Sequence, residues 1–244
     1  AIKVNNIAQQ HARGPVLSKI CHTLVDVMGV KASNIHVYDG CHGGDMRRKT
    51  PFSGLPEGCA QEGNWGGINT MTKVKSNLTE STGQAKCVKH FVDGSVDILI
   101  NIAMCKGHGD GFGKVTMTMK NHFGTFTPQP GGHGNLDYLL AINKTPEILG
   151  ERDKNTGRIV CPRQQLCLVD ALWASKDGPG GLPSAQPNFI AMGTFGPAVD
   201  YQVASKFRDG VMGWKPNYDA LSRFLSDFDR SERDLPEGGK LIEV

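Results

Sequence analysis

The chain has 244 residues, with 27 Lys+Arg against 24 Asp+Glu, 39% hydrophobic and 21% charged residues. That balance excludes a disordered or fibrous chain and is large enough for a real buried core. The 31 glycines follow no period, which excludes collagen, and no apolar run reaches the ~20 residues of a membrane helix.

Charge is uneven along the chain. Residues 1–122 carry 14 Lys+Arg against 9 Asp+Glu, and residues 123–244 carry 13 against 15. The basic first half leans toward a small anionic ligand. It does not point to nucleic acid, because no basic stripe interleaves with aromatics. The seven cysteines, at 21, 41, 59, 87, 105, 161 and 167, form no CxxC pair. A ferredoxin-type cluster and a c-type haem attachment are therefore not expected from this chain. Cys161 with Cys167, and Cys41 with Cys59, are candidate disulfides in an oxidising compartment, with buried reduced thiols as the alternative.

The chain opens on Ala1-Ile2-Lys3-Val4, a strand already under way, as in a processed protein or one lacking its first segment. Val16 to Met28 has helical spacing and is closed by Gly29. Asn34 to Asp39 reads as a second strand, so the first two strands should pair in parallel. Residues 40–70 read as a long irregular loop, rich in Gly, Pro and Cys, and Asn64-Trp65-Gly66-Gly67 is a candidate lid. Met71 to Ser76 and Cys87 to Phe91 are candidate strands. Val96 to Ala103 has the composition of a buried central strand. Helices are expected over Lys114 to Phe123 and over about Asn135 to Leu149. Glu151 to Arg158 reads as a hairpin tip, Gln165 to Ala171 and Phe189 to Gly193 as strands, and Pro197 to Phe207 and Tyr218 to Phe228 as helices. Residues 229–244 form a polar tail. The alternation predicts a single α/β domain over 1–244, with a mostly parallel sheet flanked by helices.

The strongest strand runs into Lys106-Gly-His108-Gly109-Asp-Gly111-Phe-Gly113-Lys114. A Walker A loop is excluded because Val115 follows Lys114, and GxGxxG fails because Lys stands at 114. What remains is an anion or cofactor loop built on Gly109, Gly111 and Gly113, or a plain glycine-rich turn. Lys106 and His108 lie past the carboxyl end of a strand, where open parallel sheets bind ligands. Such a lysine holds an anion or attacks a carbonyl, and such a histidine ligates metal or moves protons. On an expected helix, Thr116 with Lys120, and Thr118 with His122, share faces, with Asn121 between them. Lys120 is expected to face the same cleft as Lys106. Asp39 and Asp170 stand at strand ends, and Asp200 stands in the first turn of a helix. Asp39, His42 and His108 are the candidate metal ligands, with Asp45 close to them in sequence.

Several of these segments together resemble one family. They are Ile2 to Asn5, Asn34 to Asp39, Val96 to Ile102, Lys106-x-His108 with Gly113 and Val115-Thr116, Lys120 to Gly124, Val169 to Ala171, and Gly193 to Asp200. The chain resembles the domain of unknown function 362 family from its first residue to about residue 208. The resemblance implies an uncharacterised α/β protein, often twin-arginine exported or associated with iron–sulfur proteins. It thus implies an extracytoplasmic location but supplies no activity to carry over; the concentration of Lys and His favours a metal- or cofactor-dependent, loosely redox-associated enzyme on a small anionic substrate, with a redox partner or homo-oligomer. The alternative is a non-catalytic ligand-binding or assembly protein. One departure stands out: Gly196 precedes Pro197, where relatives usually carry Asp.

Overall fold

The computed structural model describes residues 1–7, 10–40, 52–63, 65–68, 70–74, 76, 84–127, 132–156, 158–178, 180 and 182–229. In chain order these include β1 (Ile2–Val4), α1 (Gly14–His22), β2 (His36–Asp39), β3 (Ala60–Gly63), β4 (Thr70–Lys73), β5 (Gln84–Cys87) and α2 (Lys89–Val92). There follow β6 (Leu99–Gly107), β7 (Val115–Thr116), α3 (Thr118–Asn121), β8 (Phe126–Thr127), α4 (Leu136–Asn143) and α5 (Pro146–Leu149). The rest are β9 (Gly150–Arg152), β10 (Ile159–Pro162), β11 (Gln164–Ala174), β12 (Phe189–Gly193), α6 (Gly196–Gln202) and α7 (Tyr218–Ser226).

The main sheet has the order β12-β11-β6-β1-β2-β3, with β7 added to the end of β6. Its central pairings are parallel, and only β12 and β7 run against their neighbours. The fold is therefore α/β with a mostly parallel sheet flanked by helices. Alternation along the strands divides the core into two layers. Ile2, Val4, Val37, Ile100, Ile102 and Met104 pack against Leu17 and Cys21 of α1. The opposite face carries Tyr38, Leu99, Cys105, Cys167 and Val169 against residues of α3, α4, α6 and α7. All nine residues of β6 are buried, so it reads as mostly apolar, interrupted by Asn101 and Lys106.

Four expectations are corrected. The loop expected over 40–70 contains β3, whose Ala-Gln-Glu-Gly sequence has no apolar alternation because it is an edge strand. Cys87 to Phe91 is not one strand, since β5 ends at Cys87 and α2 starts at Lys89. The helix expected over Lys114 to Phe123 is broken. Gly113 and Lys114 both take left-handed backbone, at φ of 70° and 63°, and turn the chain back so that β7 pairs antiparallel with β6. Only Thr118 to Asn121 is then α-helical, with His122 to Gly124 tightening into a 3₁₀ turn. Finally, Cys161 and Cys167 are both free thiols, the first exposed and the second buried. Cys59 instead shares a hydrogen bond with Cys21, and Cys41 lies outside the described residues.

Candidate functional site

From β1 the chain passes through α1 to β2 on one side, whereas from β6 it travels to β11 on the other. The winding of the sheet thus reverses between β1 and β6, and the crevice beyond their carboxyl ends is where such sheets bind ligands. The segment leaving β1 lies across this edge and is pinned to three strands. Lys106 Nζ, at the end of β6, donates to Asn5 Oδ1 at 2.8 Å and to Ile7 O at 3.1 Å. The backbone N–H of Asn6 donates to Asp39 Oδ2, at the end of β2, at 2.8 Å. Gln10 Nε2 donates to Trp173 O, and Arg13 Nη1 pairs with Asp170 Oδ1 at 2.5 Å, both on β11.

Lys106 is 1% exposed, and its hydrogen-bond acceptors are neutral oxygens. Burial pulls its ammonium down to about 8; nearby Asp39 opposes that shift and Lys3 adds to it. Among the described residues here, Lys3 and Lys106 against Asp39 leave a net single positive charge. The neighbourhood also holds unsatisfied groups: both side-chain polar atoms of Asn6, Gln10 Oε1 and Asp170 Oδ2 are buried without a hydrogen-bond partner among the described residues.

Below this edge, on the face toward α3, lies a buried polar layer. Lys3 Nζ pairs with Asp39 Oδ1 at 3.2 Å and donates to Asn121 Oδ1 at 3.0 Å. Asn121 Nδ2 donates to Asn101 Oδ1 and to Ile102 O. Asn101 Nδ2 donates to Thr118 O and Gln164 Oε1. His122 Nε2 stands 2.8 Å from Gln164 Oε1 and 3.0 Å from Asn101 Nδ2. Its Nδ1 stands 3.2 Å from the Thr125 hydroxyl, which shares a hydrogen bond with the Tyr38 hydroxyl at 2.7 Å. Burial pushes His122 down to about 3, so the ring is neutral. Gly124 leaves room for this layer, since a Cβ there would overlap Asp39 Oδ1 and meet Lys3 Nζ at 2.6 Å. Asn121, expected to bind ligand, is thus spent on holding α3 to the sheet.

His108 faces a different set of neighbours. Its ring meets Phe112 edge-on at 4.9 Å and lies 5.6 Å from His133. Nδ1 accepts from the backbone N–H of Gly109 at 2.8 Å, which places the proton on Nε2; that atom is buried without a partner. Lys120 Nζ lies over the rings of Phe123 and Phe112, at 4.2 and 4.9 Å. Burial first, then Lys120 and His133, hold His108 near 4. Lys106 and Lys120 therefore touch different neighbours.

The glycine-rich segment is spent on its own turn. Phe112 N–H donates to Gly109 O and Gly113 N–H to Asp110 O. Gly111 lines a shallow surface hollow with Asp110, Gly134 and Arg223. Asp200 caps α3, accepting from the backbone of Thr118 and Met119 and from the Thr118 hydroxyl, while burial raises it to about 6. At Gly196 a Cβ would meet Thr118 Oγ1 at 2.9 Å and Cys167 Sγ at 3.3 Å, so an aspartate there has no room without movement of these neighbours.

The expected metal set does not assemble from what is described. Asp39 is engaged by Lys3 and Asn6, His108 faces Phe112 and His133, and His42 and Asp45 lie outside the described residues. Among the described residues no group of three or more His, Cys, Asp or Glu side chains is placed to hold a metal. Among them too, no helix is long and apolar enough to cross a membrane. Sequence reasoning missed Lys3, Asn6, Gln10, Arg13 and Gln164. The one available signal was Lys3, a charge between the buried Ile2 and Val4 of a central strand.

No curated protein and no solved structure matches the chain. The family model described as a domain of unknown function, DUF362, matches residues 1–205. Over that length, which takes in β1, β2, β6, β11 and every group at their carboxyl ends, the chain belongs to the DUF362 family.

Proposed function

We propose that the chain is an enzyme that binds a small anionic substrate beyond the carboxyl ends of β1 and β6. The observation that carries this reading is Lys106: a buried ammonium, hydrogen-bonded among the described residues only to neutral oxygens, at the point where the sheet's winding reverses. A buried charge without a counter-ion is costly, and an anionic ligand supplies one. An amine that titrates near 8 has a second use. Its ammonium form holds the substrate's anion, and its free-amine form accepts a proton near neutral pH. The metal- or cofactor-dependent, redox-associated chemistry also expected from the sequence needs ligands beyond Asp39 and His108.

A second reading is a non-catalytic, extracytoplasmic ligand-binding protein. It is favoured by His108, which packs beside Phe112 and His133 while Lys106 is turned to Asn5 and Ile7. One experiment separates the two. Acetate binding is measured by calorimetry for the wild type, Lys106→Gln and Lys106→Arg, and exchange of ligand C–H for deuterium is followed in D2O with a panel of small carboxylates. The enzyme reading expects binding lost in Lys106→Gln, binding kept in Lys106→Arg, and exchange catalysed by the wild type alone. Binding without exchange in any protein supports the second reading. Binding undiminished in Lys106→Gln contradicts both.

A further inference from the structure

We propose that the ligand of this crevice is a small polyhydroxylated monoanion of the sugar-acid type, its carboxylate on Lys106 and its hydroxyls on the acceptors of Asn6, Gln10 and Asp170. The inference rests on the reading of the crevice as an anion site and adds the chemistry of the rest of the ligand.

Folded proteins leave few buried polar atoms unpaired, because each costs about 1–3 kcal/mol. Among the described residues nine such side-chain atoms lack a partner, and four of them belong to Asn6, Gln10 and Asp170. All three residues are at least nine-tenths buried. They also fall on one structural unit. Asn6 lies between Asn5 and Ile7, the two residues that Lys106 holds. Gln10 is tied to Trp173 O, and Asp170 to Arg13 at the end of the same segment.

The unpaired atoms have a definite character. Three are acceptors, namely Asn6 Oδ1, Gln10 Oε1 and Asp170 Oδ2, and one is a donor, Asn6 Nδ2. A bare carboxylate has no proton to give and leaves the three acceptors unsatisfied. Their complement is a ligand rich in O–H groups. Charge decides against an ammonium in that place. Asp170 is already paired with Arg13, and Lys3, Lys106 and Asp39 sum to a single positive charge. Among the described groups, one carboxylate balances that charge, whereas a zwitterion would leave a buried positive charge uncompensated. Hydroxyls meet the acceptors without adding charge.

The test is titration calorimetry of the wild-type protein with three probes at pH 7. Gluconate has the anion and the hydroxyls, hexanoate has the anion alone, and sorbitol has hydroxyls without the anion. Gluconate is expected to bind at least about tenfold more tightly than hexanoate, because a site built for hydroxyls rejects a ligand lacking them. Sorbitol is expected not to bind in the millimolar range. Gln10→Leu should lower gluconate affinity about tenfold, the loss of one buried hydrogen bond, and leave hexanoate unchanged. Equal binding of gluconate and hexanoate overturns the hydroxyl inference and leaves the anion reading standing; the unpaired atoms then belong to bound water. Binding of neither anion overturns the anion reading and the inference with it. Sorbitol binding as tightly as gluconate removes the role given to Lys106. If Gln10→Leu fails to fold, the ratio of the two anions on the wild type still decides.

Discussion

Lys3 Nζ and Asp39 Oδ1 stand 3.2 Å apart with both side chains 1% exposed, an ion pair shielded from water where β1 and β2 end side by side. The lysine also reaches Asn121 on α3, and the aspartate accepts the backbone N–H of Asn6. One pair thus couples the sheet, the helix above it and the segment that crosses the candidate site. Removing one partner leaves the other as an uncompensated buried charge. Asp39→Asn and Lys3→Met should each lower stability by about 3–5 kcal/mol, and Lys3→Met/Asp39→Leu by less than the two combined. Chemical denaturation of the three variants measures this.

Gly124 is constrained by the same pair. Its missing side chain leaves the space that Asp39 Oδ1 and the end of Lys3 occupy. Gly124→Ala is expected to cost about 2 kcal/mol through overpacking. In the Lys3→Met/Asp39→Leu background the added methyl should cost a different amount, because its closest neighbours have changed. Equal penalties in the two backgrounds would show that the pair does not fill that space.

Acid should destabilise the protein in part through His122. Its folded value of about 3 lies below the ordinary 6.5, so between these limits the unfolded chain binds the proton and the folded chain does not. Stability from this group is full above pH 6.5 and falls as pH drops toward 3, by roughly 1.4 kcal/mol per pH unit. His108, held near 4, acts in the same direction. His122→Gln should therefore be less stable than the wild type at pH 7 but lose less on going to pH 5. Urea midpoints at the two pH values check the slope.

Asp200 has the opposite sign. Burial raises it to about 6 from 3.8, so the folded chain holds its proton more tightly than the unfolded chain does. Its contribution is full below pH 3.8 and is lost as pH rises through 6. Asp200→Asn keeps an acceptor for α3 and should remove this dependence, so its stability relative to the wild type improves between pH 4 and pH 6. A constant difference across that range would mean that Asp200 is ionised throughout.

Much of the fold was legible because burial leaves a one-dimensional trace. Val96 to Ala103 announces β6 since both faces of that strand are covered. β3 left no trace, because Ala60 to Gly63 is only half-buried at the sheet edge. The stretch from Lys114 to Phe123 misled because its polar residues fit helical spacing, whereas the left-handed pair Gly113-Lys114 reverses the chain. At the site, Lys106 was legible from its place at a strand exit. Asn6, Gln10 and Arg13 were not, because their roles depend on partners more than 30 residues away, as with Asn6 and Asp39, or more than 150, as with Gln10 and Trp173. The reading of Asn121 and Asp200 as ligand groups followed their chemistry and missed their contacts, which bind α3 to its surroundings.

The most direct test of the account is the titration of Lys106 itself. Protein carrying 15N-labelled lysine is followed by NMR from pH 6 to 11, with the Lys106 signal assigned by its loss in Lys106→Arg. A midpoint near 8 is expected, moving upward when acetate is added, as an anion pairs with the ammonium. A midpoint at the ordinary lysine value of 10.5, unmoved by acetate, would contradict it.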